Sequence, residues 1–203
     1  AKMLLVTRRE GNRLRRYGHL STGNYNVRTA RLYTDLSYLT ADEEITADMD
    51  GVFSHLASQN RPPKLRQLIL APFHLQRRML EKIDQVAQAA SRGEDTRIVV
   101  KMNALTDEAL IRALVRAGQC GVRIDLIVRG ACMLAAQVPG LTDNIRVRSV
   151  IGRFLEHTRV FYFRVAQQED LYLSSADWMN RNMMRRVGLG WAVQGPARLP
   201  QRR

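Results

Sequence analysis

No apolar run in the 203 residues approaches the roughly 18–20 that a membrane-spanning helix needs, and no secretory leader pattern is present. Both absences point away from a spanning or exported protein. Cysteine is nearly missing as well. Cys120 and Cys132 stand alone, without a CxxC pair and without a histidine at ligand spacing. A disulfide framework and a structural zinc are thereby excluded, and two reduced, buried thiols in a cytoplasmic protein are expected. The third scarcity is lysine, which supplies only four of the 32 basic residues (Lys2, Lys64, Lys82 and Lys101). The formal net charge of +13 is therefore carried by arginine. A guanidinium grips phosphate oxygens as a planar fork, so the excess indicates polyanionic partners, against the plainer reading of a solvated arginine-rich surface.

An apolar content of 45% is ample for a packed core in one good domain or two small ones. The stretch 155–182 organises the rest. His157 and Arg159 are two apart, hence on one face of an extended segment, and they open the alternating run Val160, Tyr162, Val165. After a turn near residues 167–170 the chain returns through Leu171 and Leu173 into Ser174-Ser175-Ala176-Asp177, with Asn180 beyond. That is a β-hairpin presenting an imidazole, a guanidinium and small hydroxyls at one end, a set suited to a phosphoryl group.

The pattern occurs twice. Lys2 opens Met3-Leu4-Leu5-Val6, Glu10-Gly11-Asn12 turns, and the chain returns through Leu14 and Tyr17 into Ser21-Thr22-Gly23-Asn24. Setting Ser21 on Ser174 aligns Thr22 with Ser175, Gly23 with Ala176, Asn24 with Asp177 and Tyr25 with Trp178. Two homologous halves facing each other are implied. With Lys2 matched to Arg159, the counterpart of His157 falls one position ahead of Ala1.

Between the hairpins, residues 29–35 show no clean period and read as loop or short helix. Thr40-Ala41-Asp42-Glu43 reads as a capping box for a helix over 41–58, with Ile45, Met49, Val52, Phe53 and Leu56 on its apolar stripe. Asn60-Arg61-Pro62-Pro63-Lys64 then marks the best internal boundary. Beyond it, strands at 68–71, 97–102 and 122–128 alternate with helices bearing Leu75, Met79, Ile83, Val86 and Ala90, and then Leu110, Leu114 and Ala117; a strand at 145–150 and the second hairpin follow. Such alternation argues for a largely parallel sheet buried on both faces. Ligands of such sheets sit at the strands' carboxyl ends, where Lys101, Asn103 and Arg129-Gly130 lie. Lys101 is as well explained by an exposed strand end; Arg129, closing a buried run, calls for an anionic partner. His19, just before Ser21, is placed to support the first hairpin's site by hydrogen bonding or to act structurally. His55 and His74 read as structural or surface residues.

Several motifs in order resemble the catalytic half of bacterial polyphosphate kinases: Lys2-Met3-Leu4-Leu5 with Thr7-Arg8-Arg9, Tyr17-Gly18-His19-Leu20-Ser21-Thr22-Gly23-Asn24-Tyr25-Asn26, and Thr29-Ala30-Arg31-Leu32-Tyr33-Thr34-Asp35. So do Leu126-Ile127-Val128-Arg129-Gly130, Thr142-Asp143-Asn144-Ile145-Arg146, Phe154-Leu155-Glu156-His157-Thr158-Arg159 and Ser174-Ser175-Ala176-Asp177-Trp178-Met179-Asn180-Arg181-Asn182. The resemblance implies an α/β fold of phospholipase D-like domains with mixed sheets flanked by helices, one partial (1–66) and one nearly complete (67–203). It implies reversible transfer of the terminal phosphoryl group of ATP to inorganic polyphosphate through a phosphohistidine. It also implies a catalytic role for His157, ATP contacts from Tyr33, Arg129 and His157, and phosphate stabilisation by Lys2 and Arg159 with His19 in support.

Magnesium is implied too, with ligands outside this chain, as are ADP, a homo-oligomer, no specific nucleic acid, and a cytoplasmic location with peripheral inner-membrane attachment as its variant. The family's phosphorylated histidine would immediately precede Ala1, so the chain reads as a piece of something longer that depends on its parent for the nucleophile. Past Val187 the match weakens and the family's C-terminal helix is not seen. Two other readings stay open: a phospholipase D-like phosphodiesterase or nuclease, which needs paired HxK elements, and a non-catalytic polyanion-binding module.

Overall fold

Alternation in the first twenty residues produces an antiparallel pair, β1 (Met3–Glu10) and β2 (Arg13–Ser21), closed at Gly11, whose φ of +59° suits glycine. The structure is a computed structural model, and it describes residues 1–58 and 62–193. The segment expected to lack regular structure holds a short helix α1 (Val27–Ala30) and a two-residue strand β3 (Tyr33–Thr34), followed by β4 (Ser37–Thr40), which pairs with β2. The helix α2 (Glu43–Ser58) follows. Its cap is Asp42, not Thr40: the Asp42 carboxylate accepts from the Ile45 amide at 2.9 Å, while Thr40 Oγ1 accepts from the Asp42 amide. Ile45, Met49 and Val52 are buried as expected, but Phe53 and Leu56 face solvent. The expected boundary at residues 60–64 falls in part outside the described residues, as do the expectations for the tail beyond residue 193.

The second part runs β5 (Leu68–Ala71), α3 (Leu75–Ser91), β6 (Thr96–Met102), α4 (Glu108–Gln119), β7 (Arg123–Val128), β8 (Ile145–Arg148), β9 (Leu155–Glu156), β10 (Arg159–Val165), β11 (Gln168–Ser174), α5 (Asn180–Met184) and β12 (Gly188–Ala192). Seven of these strands form one mixed sheet in the order β5-β12-β11-β10-β6-β7-β8. Within it the parallel neighbours are β6–β7 and β7–β8, and every other neighbouring pair is antiparallel. The largely parallel sheet inferred from strand–helix alternation is thus corrected to a mixed one, because the β10–β11 hairpin pairs antiparallel with β6 and leads on to β12. That hairpin turns at Ala166 and Gln167, earlier than residues 167–170, with Ala166 at φ +50°.

Strand β12 carries no signal in the alternation, yet it sits between β5 and β11. Its glycines explain both facts. A Cβ on Gly188 would lie 2.8 Å from the Cβ of Ala176, and one on Gly190 would lie 2.9 Å from Leu75 Cδ1, so neither position takes a strand-favouring side chain.

Helices α3 and α4 cover one face of the large sheet and bury Met79, Ile83, Leu110, Phe161 and Trp178 among others. On the opposite face Leu68, Leu70, Leu173, Leu189 and Trp191 meet Leu20 of β2 and Ile45, Met49 and Val52 of α2. This second core presses the two hairpins together, and the repeat is visible in it. Register places Arg159 opposite Ser174, while the Ser21 amide donates to the Lys2 carbonyl at 3.0 Å. The same serine-closed turn follows each: the Gly23 amide donates to Ser21 Oγ, and the Ala176 amide to Ser174 Oγ, both at 3.0 Å. The cysteines differ from expectation: Cys120, at the exposed end of α4, is solvent-accessible, and Cys132 is half-buried.

Candidate functional site

Strands β3 and β9 are too short to stabilise anything alone, but their parallel pairing, Tyr33 with Leu155 and Thr34 with Glu156, ties the first half to the second. The His157 amide extends the pairing by donating to the Thr34 carbonyl at 3.3 Å. The next residue, Asp35, then meets the His157 ring: Nδ1 lies 2.9 and 3.0 Å from the two carboxylate oxygens. Thr22 Oγ1 donates to the same carboxylate at 2.7 Å. Glycine is required at 23, since a Cβ there would stand 2.3 Å from Asp35 Oδ2.

On its other side, His157 Nε2 is 2.9 Å from a guanidinium nitrogen of Arg159. Arginine only donates, so Nε2 is the acceptor, and the proton sits on Nδ1 facing Asp35. The hydrogen bonds therefore assign the tautomer with a basic nitrogen directed at the cationic side. Arg159 is 5% exposed and forks onto Asp177, which is 4% exposed, through Nε at 3.1 Å and a terminal nitrogen at 2.7 Å. Asp177 in turn accepts the Asn103 amide at 2.7 Å.

These groups border a cleft of about 240 Å³. Lys2, Arg159, Arg181 and Arg186 supply four cations to its walls, Asn24, Asn103 and Asn182 supply amides, and Asp177 supplies the carboxylate. Lys2 donates to the Thr22 carbonyl at 3.0 Å. Burial is the main cause that brings its ammonium down to about 8; Arg159 and Arg186 add to the shift, while Asp35 and Asp177 oppose it. A cleft that discourages its own cations from charging is one that an anion would relieve.

Of the residues expected from sequence, Lys2, His157 and Arg159 line the cleft together. Tyr33 stands behind the imidazole, its ring centroid 4.9 Å from that of His157. Arg129 does not line the cleft. It donates to the side-chain carbonyl of Asn103, a neutral amide in place of the expected anion, and its Nε has no partner in the structure. His19 also stays out of the cleft, its Nδ1 2.6 Å from Tyr25 Oη. Lys101 is half-buried and paired with Glu156 at 3.0 Å instead of ending an exposed strand. Asn180 is exposed, and Asn182 takes the cleft position instead. Asp35 escaped the sequence reading as a site residue; its signal was its place at the end of a matched motif. Asp177 was legible only as part of the repeated turn.

The donors present do not fit magnesium. Asp35 and Asp177 are taken up by His157 and Arg159, and among the described residues no three His, Cys, Asp or Glu side chains gather as a metal site.

Asp35 gives a test of this geometry. Burial is the largest influence on its carboxyl and would raise it, but hydrogen bonds from His157 and Thr22 and the nearby Lys2 ammonium outweigh burial and hold it below the usual 3.8. A carboxyl depressed in the folded state contributes stability that is complete above the unfolded value and is lost as pH falls through the folded one. Denaturant unfolding of the wild type is therefore expected to weaken below about pH 4 more steeply than that of Asp35→Asn. Equal acid slopes for the two would show that the carboxylate is not held this way.

Paired hairpins that aim a buried, carboxylate-held histidine and several cations into one cleft define a mixed α/β protein built to receive an anionic group. Two family models cover nearly all of the chain: Polyphosphate kinase C-terminal domain 1 over residues 1–62 and Polyphosphate kinase C-terminal domain 2 over residues 68–199. The chain belongs to the polyphosphate kinase family. It is 50% identical to the polyphosphate kinase of Pseudomonas aeruginosa over 195 residues, 96% of this chain and 28% of that protein. It is 47% identical to that of Neisseria meningitidis over 196 residues, 97% of this chain and 29% of that protein. The crystal structure of polyphosphate kinase from Porphyromonas gingivalis superposes with a TM-score of 0.86 at 35% identity, covering 95% of this chain and 30% of that one. The chain thus spans under a third of the length of the relatives it matches. No helix among the described residues is long and apolar enough to cross a membrane.

Proposed function

We propose that the longer protein represented by this chain transfers the terminal phosphoryl group of ATP, reversibly, to inorganic polyphosphate through a phosphohistidine, and that the cleft beside His157 is half of its active site. The observation that carries this reading is the basic Nε2 of His157, fixed by Asp35 and turned toward Arg159 at the wall of a cleft whose other cations, Lys2, Arg181 and Arg186, have no ion pair among the described residues. Family membership supports it.

Because Lys2 holds the register position of Arg159, the residue two before Lys2 holds that of His157, and we assign the nucleophile to a histidine there. Its ring nitrogen bonds the γ-phosphorus while the bond to the bridging oxygen breaks, and that oxygen leaves with ADP. A terminal oxygen of polyphosphate then attacks the phosphorus, the P–N bond breaks, and the imidazole is regenerated. Lys2, Arg159, Arg181 and Arg186 are assigned to the oxygens of the loose transition state. When an incoming oxygen takes the Arg159 donor, Nε2 of His157 is released to exchange a proton with the leaving or attacking phosphate.

Tyr33 is assigned to the adenine and Arg129 to the nucleotide by way of Asn103. His19, through Tyr25 next to Asn24, is left a supporting role. Magnesium, when present, supplies charge neutralisation from ligands outside this chain. The division into phospholipase D-like parts at residues 66 and 67, a homo-oligomeric state and a cytoplasmic location with peripheral inner-membrane attachment belong to the same proposal.

The test is labelling of the full-length protein with ATP tagged on its terminal phosphate. Label that survives base and is lost in acid, as a phosphoramidate is, is expected. No label, with polyanion binding that falls steeply with salt, would instead favour a binding module, the reading that the +13 charge suggests by itself.

A further inference from the structure

The β1–β2 hairpin begins in the cleft at Lys2 and ends on arginine. Over residues 8–15 it carries Arg8, Arg9, Arg13 and Arg15 against the single carboxylate of Glu10. The antiparallel register sets Arg8 directly opposite Arg15, a like-charged pair that a sheet disfavours. Glu10 is shared between them, 3.3 Å from Arg8 Nε and 3.6 Å from an Arg15 terminal nitrogen, and it also accepts from Tyr17 Oη at 2.6 Å. The Tyr17 ring lies under the Arg15 guanidinium at 5.5 Å. The side chains of Arg9 and Arg13 have neither hydrogen bond nor ion pair among the described residues. On the α2 side Asp50 is taken by Arg16 at 3.0 Å, while Glu43 lines the adjoining groove with Arg13, Arg15 and Arg16 and forms no ion pair among the described residues, so the tip keeps an excess of guanidinium over carboxylate. A short ordered ribbon therefore holds Arg8, Arg13 and Arg15 on one face, the face that also carries Lys2 at the cleft, while Arg9 stands on the other.

We infer that this hairpin tip is a second anchoring site for the substrate chain, engaging linear polyphosphate long enough to reach it from the cleft. Eight residues of extended strand separate Lys2 from Glu10, roughly 26 Å at 3.3 Å per residue. Short phosphates and ATP fill the cleft alone, whereas a long chain occupies cleft and tip together and gains affinity through effective concentration. Planar forks spaced along a strand suit a repeating phosphate backbone and carry no base-reading geometry, so inorganic polyphosphate is the ligand chosen over nucleic acid. The inference rests on the polyphosphate kinase reading.

The test uses full-length protein and the combined variant Arg8→Gln, Arg13→Gln and Arg15→Gln, with tripolyphosphate, long-chain polyphosphate and single-stranded DNA as probes. Expected is a loss of about tenfold or more in affinity for the long chain, a shallower salt slope for that ligand, and unchanged tripolyphosphate affinity and ATP turnover. Equal losses for short and long chains, no loss for either, or a loss confined to DNA would each overturn the assignment. If wild-type protein neither labels with ATP nor binds polyphosphate, it is the underlying function that fails. If it does both and the variant matches it, only the hairpin inference falls.

Discussion

Replacing His157 with alanine in the full-length protein is expected to slow phosphoryl transfer by about 10²–10⁴-fold, the range that a positioned proton-transfer group contributes. The expectation follows from how the ring is held. Asp35 binds Nδ1, so Nε2 is the ring nitrogen left to handle a proton once an incoming oxygen takes the Arg159 donor from it. His157→Asn separates chemistry from structure. It keeps a donor for Asp35, which is otherwise left with Thr22 as its side-chain partner, so it should recover part of the stability lost in His157→Ala, about 1–3 kcal/mol, without recovering rate. Rates are read from single-turnover transfer and stability from denaturant unfolding. Wild-type turnover in both variants would remove His157 from the mechanism.

What could be read ahead of the structure was whatever short-range pattern dictates. Both hairpins, the helix stripes and the repeat were legible because alternation and 3.6-residue spacing are local, and the two serine-closed turns use the same chemistry in sequence and in space. The failures have a common physical origin in long-range contacts. Asp35 reaches His157 across 122 positions through a two-strand pairing too short to show any period. β12 is hidden because glycine is needed where Ala176 and Leu75 press against it, and glycine is what a strand search discounts. Arg129 was assigned an anion on the argument that a charge ending a buried run needs one, but Asn103 meets it with a side-chain carbonyl. Thr40 fitted the capping pattern, yet Asp42 is closer to the first free amides of α2.

Asp177→Ala is expected to be among the most destabilising single changes in the chain, at about 3–5 kcal/mol, because it strips the partner from a buried charge. Arg159 and Asp177 are both at least 95% buried and share two hydrogen bonds; the Asn103 and Ala104 amides also use Asp177 as an acceptor. The repeat shows why the pair exists in one half and not the other. Lys2 stands where Arg159 stands and Asn24 where Asp177 stands, so the first half keeps an uncompensated cation directed only at the Thr22 carbonyl, while the second spends its cation on a carboxylate. The cleft thus combines one fixed, neutralised fork with Lys2, Arg181 and Arg186 as cations left for the ligand. A double change, Arg159→Met with Asp177→Leu, should recover the part of the loss that comes from the stranded charge, though the Asn103 and Ala104 amides still lack their acceptor, and it should not restore transfer. Urea midpoints at constant m-value report the difference. A loss below about 1 kcal/mol in Asp177→Ala would mean that the Arg159 charge finds water on its own and that the buried fork does not set the shape of the cleft.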